Sequence, residues 1–95
     1  MAELLGYGYT CDGFHLVRPE SSGQGQLRAM NLALKMANIS PEQVDHVNVH
    51  ATSTPAGDEI EARAVKEVFS AQANKPTVSA IKSSIGHTFA AAGAI

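Results

Sequence analysis

The chain has 95 residues, 7 Lys+Arg against 9 Asp+Glu, and a net charge of −2 with neutral histidines. That length fits one small domain or part of a larger one, and the near-balanced charge argues against a basic nucleic-acid surface. Apolar residues make up 44%, enough for a core, yet no apolar run reaches the length of a membrane span.

Elements alternate strand and helix from the start. Glu3 to about Cys11, rich in Leu and Tyr, is expected as the first strand. A loop ending in Ser21-Ser22-Gly23-Gln24-Gly25 follows, with Ser21 and Gln24 spaced as a capping box. Leu27, Met30, Leu34 and Ala37 then share one helical face. Ser40-Pro41, with Gln43 three residues after Ser40, stops that helix and opens a short turn. Val44 to His50 is β-branched and alternating, hence a strand.

After the Thr52–Gly57 loop, Asp58 and Glu61 read as a D-x-x-E helix start. Ile60, Ala64, Val65 and Val68 form its buried face, and Glu59 with Arg63 an i, i+4 pair on its wet face. Asn74-Lys75-Pro76 leads into a short strand, Thr77 to Ile81. Lys82 to Thr88 is a loop delivering a last helix, Phe89 to Ile95, apolar on every face and so expected to be fully buried. That helix has no C-cap or polar tail, so the chain reads as a slice of a larger domain.

Alternation of this kind predicts an α/β fold with a parallel, helix-covered sheet. Ligands of such sheets sit at the carboxyl ends of the strands. The loops after Val49 and after Ile81 both lie at that edge.

The start, Met1 to Leu5, has no positive region or cleavage pattern of a signal peptide. The single cysteine, Cys11, excludes an internal disulfide framework and a cysteine-rich zinc site. A soluble chain of a reducing compartment is expected, with Cys11 an inert buried thiol.

Four histidines carry the chemical interest. His50 closes a strand, where it is either a hydrogen-bonded strand-end residue or a ligand-facing group. His87 follows Gly86 at an expected helix start. There the positive potential disfavours a charged imidazole and leaves a neutral donor for a developing oxyanion, or simply a cap. Adjacent strands lie about 4.8 Å apart, so two histidines at their ends can meet over a small ligand. His46 and His50 lie about 13 Å apart along a strand and cannot share an ion, and His15 has no partner nearby in sequence, so no metal site is expected. Lys82 needs a partner if buried, and Glu61 is the candidate, alongside its capping role. Thr52, Ser53 and Thr54 offer hydroxyls, either as ordinary loop chemistry or as a ledge for an amide-containing ligand.

Asn48-Val49-His50-Ala51-Thr52-Ser53-Thr54-Pro55-Ala56-Gly57-Asp58 resembles the first histidine motif of β-ketoacyl-acyl-carrier-protein synthases. Lys82-Ser83-Ser84-Ile85-Gly86-His87, with Phe89 to Ala94 after it, resembles their lysine and second-histidine motif. Gly6 to His15 resembles the family's glycine- and serine-containing strand. The resemblance therefore covers essentially the whole chain.

It implies a partial thiolase-like fold, residues 1–95 being a ketosynthase domain truncated at both ends, around the junction and early second half. It implies an acyltransferase of fatty-acid elongation by decarboxylative Claisen condensation. His50 and His87 would stabilise the malonyl-derived enolate, Lys82 paired with Glu61 would set the electrostatics, and Thr52 and Thr54 would bind the pantetheine arm. Acyl carrier protein, malonyl and acyl thioesters and a second subunit of a homodimer would be the partners. No cofactor is implied beyond the carrier's phosphopantetheine. The compartment would be the cytoplasm, or a mitochondrion or plastid. The nucleophilic cysteine lies upstream of these motifs, and Cys11 stands where the family has a small residue, often serine, so this chain alone is expected to be inactive.

Thiolases carry proline after the second motif's histidine, where this chain has Thr88. Modular polyketide synthases show Glu-Ala-His-Gly-Thr-Gly-Thr where this chain has Asn-Val-His-Ala-Thr-Ser-Thr. A fragment of a polyketide ketosynthase or thiolase, or a non-catalytic remnant module, is the alternative. Ala51 replaces the commoner glycine, which matters only if the backbone there needs a positive φ.

Overall fold

A computed structural model describes residues 1–73 and 75–94. Asn74 and Ile95, parts of the expected strand lead-in and last helix, lie outside the described residues.

The first helix, α1, spans Gln24–Ala37. The expected Ser21–Gln24 capping box is absent from its start. Gly23 is the N-cap, at φ 72°, with no side-chain cap. Ser21 and Ser22 instead turn their hydroxyls to the Glu20 carboxylate, which also accepts the Ser22 N–H at 3.0 Å. Glycine enters the left-handed region at little cost, and a Cβ here would press on Ile60 at 3.2 Å. Farther along, Ser40 and Gln43 do form a reciprocal cap on the 3₁₀ turn Pro41–Gln43, with the Ser40 N–H donating to Gln43 Oε1 at 2.9 Å.

Strand β1 is His46–Asn48, shorter than the expected Val44–His50. Helix α2 spans Pro55–Phe69 behind the N-cap Thr54. It begins three residues before the expected start at Asp58, because Pro55 is pre-set for a first helical position and the Asp58 N–H already bonds the Thr54 carbonyl at 2.9 Å. Ile60 and Ala64 are buried as expected, and Phe69 joins them. Arg63 does not sit in a simple surface pair: its guanidinium donates to the Ser21 carbonyl at 2.8 Å, tying α2 to the loop before α1.

Strand β2, Thr77–Ser79, pairs with β1 in parallel, with His46 opposite Thr77 and Asn48 opposite Ser79. The unit is β-α-β, as the alternation predicted. Lys82–Ile85 forms a single helical turn, α3, where a loop was expected.

Two expected elements differ for one reason. The segment Glu3–Cys11 is in no strand ladder. It runs antiparallel along α1 instead, with Gly6 against Ala33 and Ala37, Gly8 against Ala29, and Thr10 Oγ1 donating to the Gly25 carbonyl at 2.7 Å. Two residues of extended chain and one helical turn advance by similar lengths, so Gly6, Gly8 and Thr10 mesh with Ala33, Ala29 and Gly25. Leu4, Leu5, Tyr7 and Tyr9 on this segment are exposed. The expected last helix is only a 3₁₀ turn, Phe89–Ala91, followed by a turn in which Ala92 is buried and before which Phe89 stays 85% exposed. A strand needs a paired neighbour and an all-apolar helix needs cover on every side. These 95 residues expose 7015 Å², against about 5,200 Å² for a compact monomer of this mass.

Candidate active site

Because β1 and β2 are parallel neighbours, their carboxyl ends open at the same edge. The Val49 N–H donates to the Ser79 carbonyl at 2.9 Å, extending the ladder to the residue before His50. From β2 the chain turns through α3 and Gly86, at φ 77°, to His87. The His50 and His87 rings meet there with centroids 5.2 Å apart, edge to face at 83°.

His87 lies outside the first turn of any long helix, contrary to expectation, since that helix is absent. It sits between α3 and the Phe89–Ala91 turn, and its Nδ1 accepts the Phe89 N–H at 3.2 Å. A nitrogen that accepts carries no proton, so a neutral His87 holds its hydrogen on Nε2. In the neutral ring Nδ1 is thus the acceptor and Nε2–H the donor. The Phe89 ring stacks at 5.2 Å from the His87 ring, tilted by 34°. Phe89 was missed as a site residue; its aromatic ring two positions past His87 was the available signal.

Glu61 does not cap α2, being in the second turn. It turns back to the end of β1, where Oε1 accepts the His50 N–H at 2.7 Å and Oε2 the Ala51 N–H at 2.8 Å. Ala51 sits at φ 36° and Ser53 at φ 64°. The left-handed region costs a non-glycine residue about 1–2 kcal/mol. The backbone after His50 therefore does need the positive φ that glycine would supply freely.

Thr52 and Thr54 line a cleft of about 1050 Å³ with His50, Glu61, Cys11 and His15. Cys11 is exposed on this cleft, not buried as expected. His15 serves its own loop, accepting the Val17 and Arg18 N–H groups at 3.1 and 3.2 Å. Lys82 is half-buried at the start of α3. His46 faces β2, with Nδ1 2.9 Å from Thr77 Oγ1 and Nε2 2.9 Å from Ser79 Oγ. Among the described residues no group of three His, Cys, Asp or Glu side chains is placed to hold a metal ion, and no helix is long and apolar enough to cross a membrane.

Two imidazoles in this arrangement can direct N–H donors at one developing oxyanion, and such donors stabilise charge that appears only as the reaction proceeds.

Residues 1–95 match the family model of the β-ketoacyl synthase C-terminal domain. The chain is 48% identical over 96 residues to the mitochondrial 3-oxoacyl-[acyl-carrier-protein] synthase of Arabidopsis thaliana, covering 99% of this chain and 21% of the relative. It is 46% identical over 94 residues to 3-oxoacyl-[acyl-carrier-protein] synthase 2 of Coxiella burnetii, covering 99% and 23%. Among solved structures, the ketosynthase ApeO with its chain length factor ApeC from Xenorhabdus doucetiae superposes with a TM-score of 0.86 at 38% identity, over 96% of this chain and 22% of that one. A type II polyketide acyl-carrier protein in complex with its hexaketide-bound ketosynthase, AntDE:AntF, superposes at 0.84 and 34% identity, over 94% and 22%. The chain spans about a fifth of the length of these curated relatives.

Proposed function

The chain belongs to the β-ketoacyl synthase family, as its C-terminal domain with the ketosynthase fold, and we propose that it carries the His-Lys-His part of a 3-oxoacyl-[acyl-carrier-protein] synthase site. The observation that carries this reading is the meeting of His50 and His87 at 5.2 Å across the strand edge.

The reaction is a decarboxylative condensation. An acyl chain is held as a thioester on a cysteine supplied by the enzyme outside these residues. The malonyl thioester loses its carboxylate as carbon dioxide, and the bond's electron pair moves to the enolate. His87 Nε2–H and an N–H of His50 donate to the enolate oxygen, and losing one such donor costs about 2.7–4 kcal/mol. The carbanion then attacks the acyl carbonyl, and the cysteine thiolate leaves. Lys82 balances the negative charge passing through the site, while Glu61, expected as its partner, bonds the His50 and Ala51 amides instead. Thr52 and Thr54 bond the amides of the pantetheine arm.

Acyl carrier protein delivers both thioesters, which the carrier complex of one structural neighbour supports. The enzyme pairs as a homodimer and works without a cofactor of its own, in the cytoplasm or an organelle matrix. Elongation is favoured over polyketide synthesis because the curated relatives are 3-oxoacyl-[acyl-carrier-protein] synthases at 42–48% identity, whereas the type II polyketide complex is 34% identical.

The test is the full-length enzyme with acyl- and malonyl-carrier protein. It should release carbon dioxide and lengthen the chain by two carbons in one round, while the 95-residue chain alone should do neither. Acylation of Cys11, seen as a mass shift, would overturn the assignment of roles.

A further inference from the structure

We propose that Glu61 is a positioning residue that acts through the backbone: its two carboxylate oxygens fix the peptide planes on either side of His50 and thereby aim the His50 imidazole at His87. This rests on the enolate-stabilising role proposed for His50.

Three observations meet at one place. The Glu61 oxygens divide between consecutive N–H groups, His50 at 2.7 Å and Ala51 at 2.8 Å. Ala51 has φ 36°, a conformation that an alanine does not hold by its own preference. The ring that must reach His87 hangs from the residue between the strand and that strained position. The two N–H groups belong to the peptide planes before and after His50, so two bonds to one carboxylate fix the dihedrals of His50 itself. Charge-assisted bonds of this length are strong enough to hold it. Without the carboxylate, those two planes are free to turn about the His50 Cα, carrying the imidazole away from its partner.

The clamp is distinct from an ion pair with Lys82, and a second substitution separates them. Glu61→Gln keeps the shape but sets an NH₂ group against one of the two N–H donors. In the full-length enzyme, carbon dioxide release from malonyl-carrier protein should fall about 10–150-fold in kcat, the equilibrium factor of one lost charge-assisted hydrogen bond. KM should stay within about twofold, because the carrier and pantetheine contacts are untouched. In a Lys82→Ala background the same Glu61→Gln substitution should cost about the same factor as in the parent, because the clamp does not run through Lys82. Amide exchange at His50 and Ala51 should quicken in Glu61→Gln.

A much smaller loss in the Lys82→Ala background would overturn the proposal and point to Lys82 as the route. Unchanged amide exchange, an unchanged rate, or failure to fold in both backgrounds would overturn it as well. A parent enzyme that releases no carbon dioxide overturns the proposed function itself, while quickened exchange at the two amides would still uphold the clamp.

Discussion

Gly8 lies so close to the Ala29 carbonyl that no side chain fits between the N-terminal segment and α1. Gly6 stands likewise, its absent Cβ only 2.7 Å from the Ala33 oxygen and the Ala37 nitrogen. The contact is backbone against backbone, so neither partner can rotate away.

Gly8→Ala should therefore destabilise the full-length protein by about 1–3 kcal/mol, the range for overpacking a rigid contact. A urea midpoint measured beside the parent reads it. An unchanged midpoint would mean that the segment leaves α1 in the complete protein.

His46 links β1 to β2 through both ring nitrogens, to hydroxyls two residues apart on the partner strand. It is exposed, so its loss should cost only about 1 kcal/mol. His46→Ala should speed amide exchange at Thr77 and Val49, whose N–H groups bond across the same pair of strands. Exchange that quickens only at chain termini would show that the ring bonds contribute nothing to the ladder.

The Glu20 carboxyl lies below the usual carboxylate range, chiefly because the Ser22 hydroxyl and then the Ser22 N–H donate to it. A depressed carboxyl favours the folded state above its unfolded pKa, and that contribution is lost as pH falls through the folded value. Ser22→Ala should move the Glu20 titration upward, toward the ordinary value, as followed by NMR. No upward movement would mean that the serine bonds do not persist in solution.

The histidine pair was legible because it needs only topology: parallel neighbouring strands place the residues after Val49 and after Ile81 at one edge. The role of Glu61 was not legible. With α2 taken to start at Asp58, Glu61 read as a cap and as the partner of Lys82, and only the earlier start at Pro55 frees it to reach the His50 and Ala51 amides. The segment Glu3–Cys11 had strand composition, but composition does not supply a neighbouring strand, and its glycines recorded the approach of α1 instead. The run after His87 read as a buried helix from its apolarity. Burial depends on what surrounds it, and here Phe89 is left open beside the His87 ring.

His87 should carry its proton on Nε2 when neutral, because Nδ1 accepts the Phe89 N–H. Ring ¹⁵N shifts in the full-length enzyme distinguish the two tautomers. A neutral ring protonated at Nδ1 would remove the outward donor on which the proposed chemistry relies.

The most direct test is carbon dioxide release from malonyl-carrier protein by His50→Ala, His87→Ala and the double variant of the full-length enzyme, measured beside acylation of its nucleophilic cysteine. Each single variant should keep the fold, still accept an acyl group, and lose about 10²–10³-fold in decarboxylation. The double variant should lose far less than the product of the two, because the rings act as a unit. Decarboxylation at the parent rate in both single variants, with only a lowered melting temperature, would contradict the account and make the histidines structural.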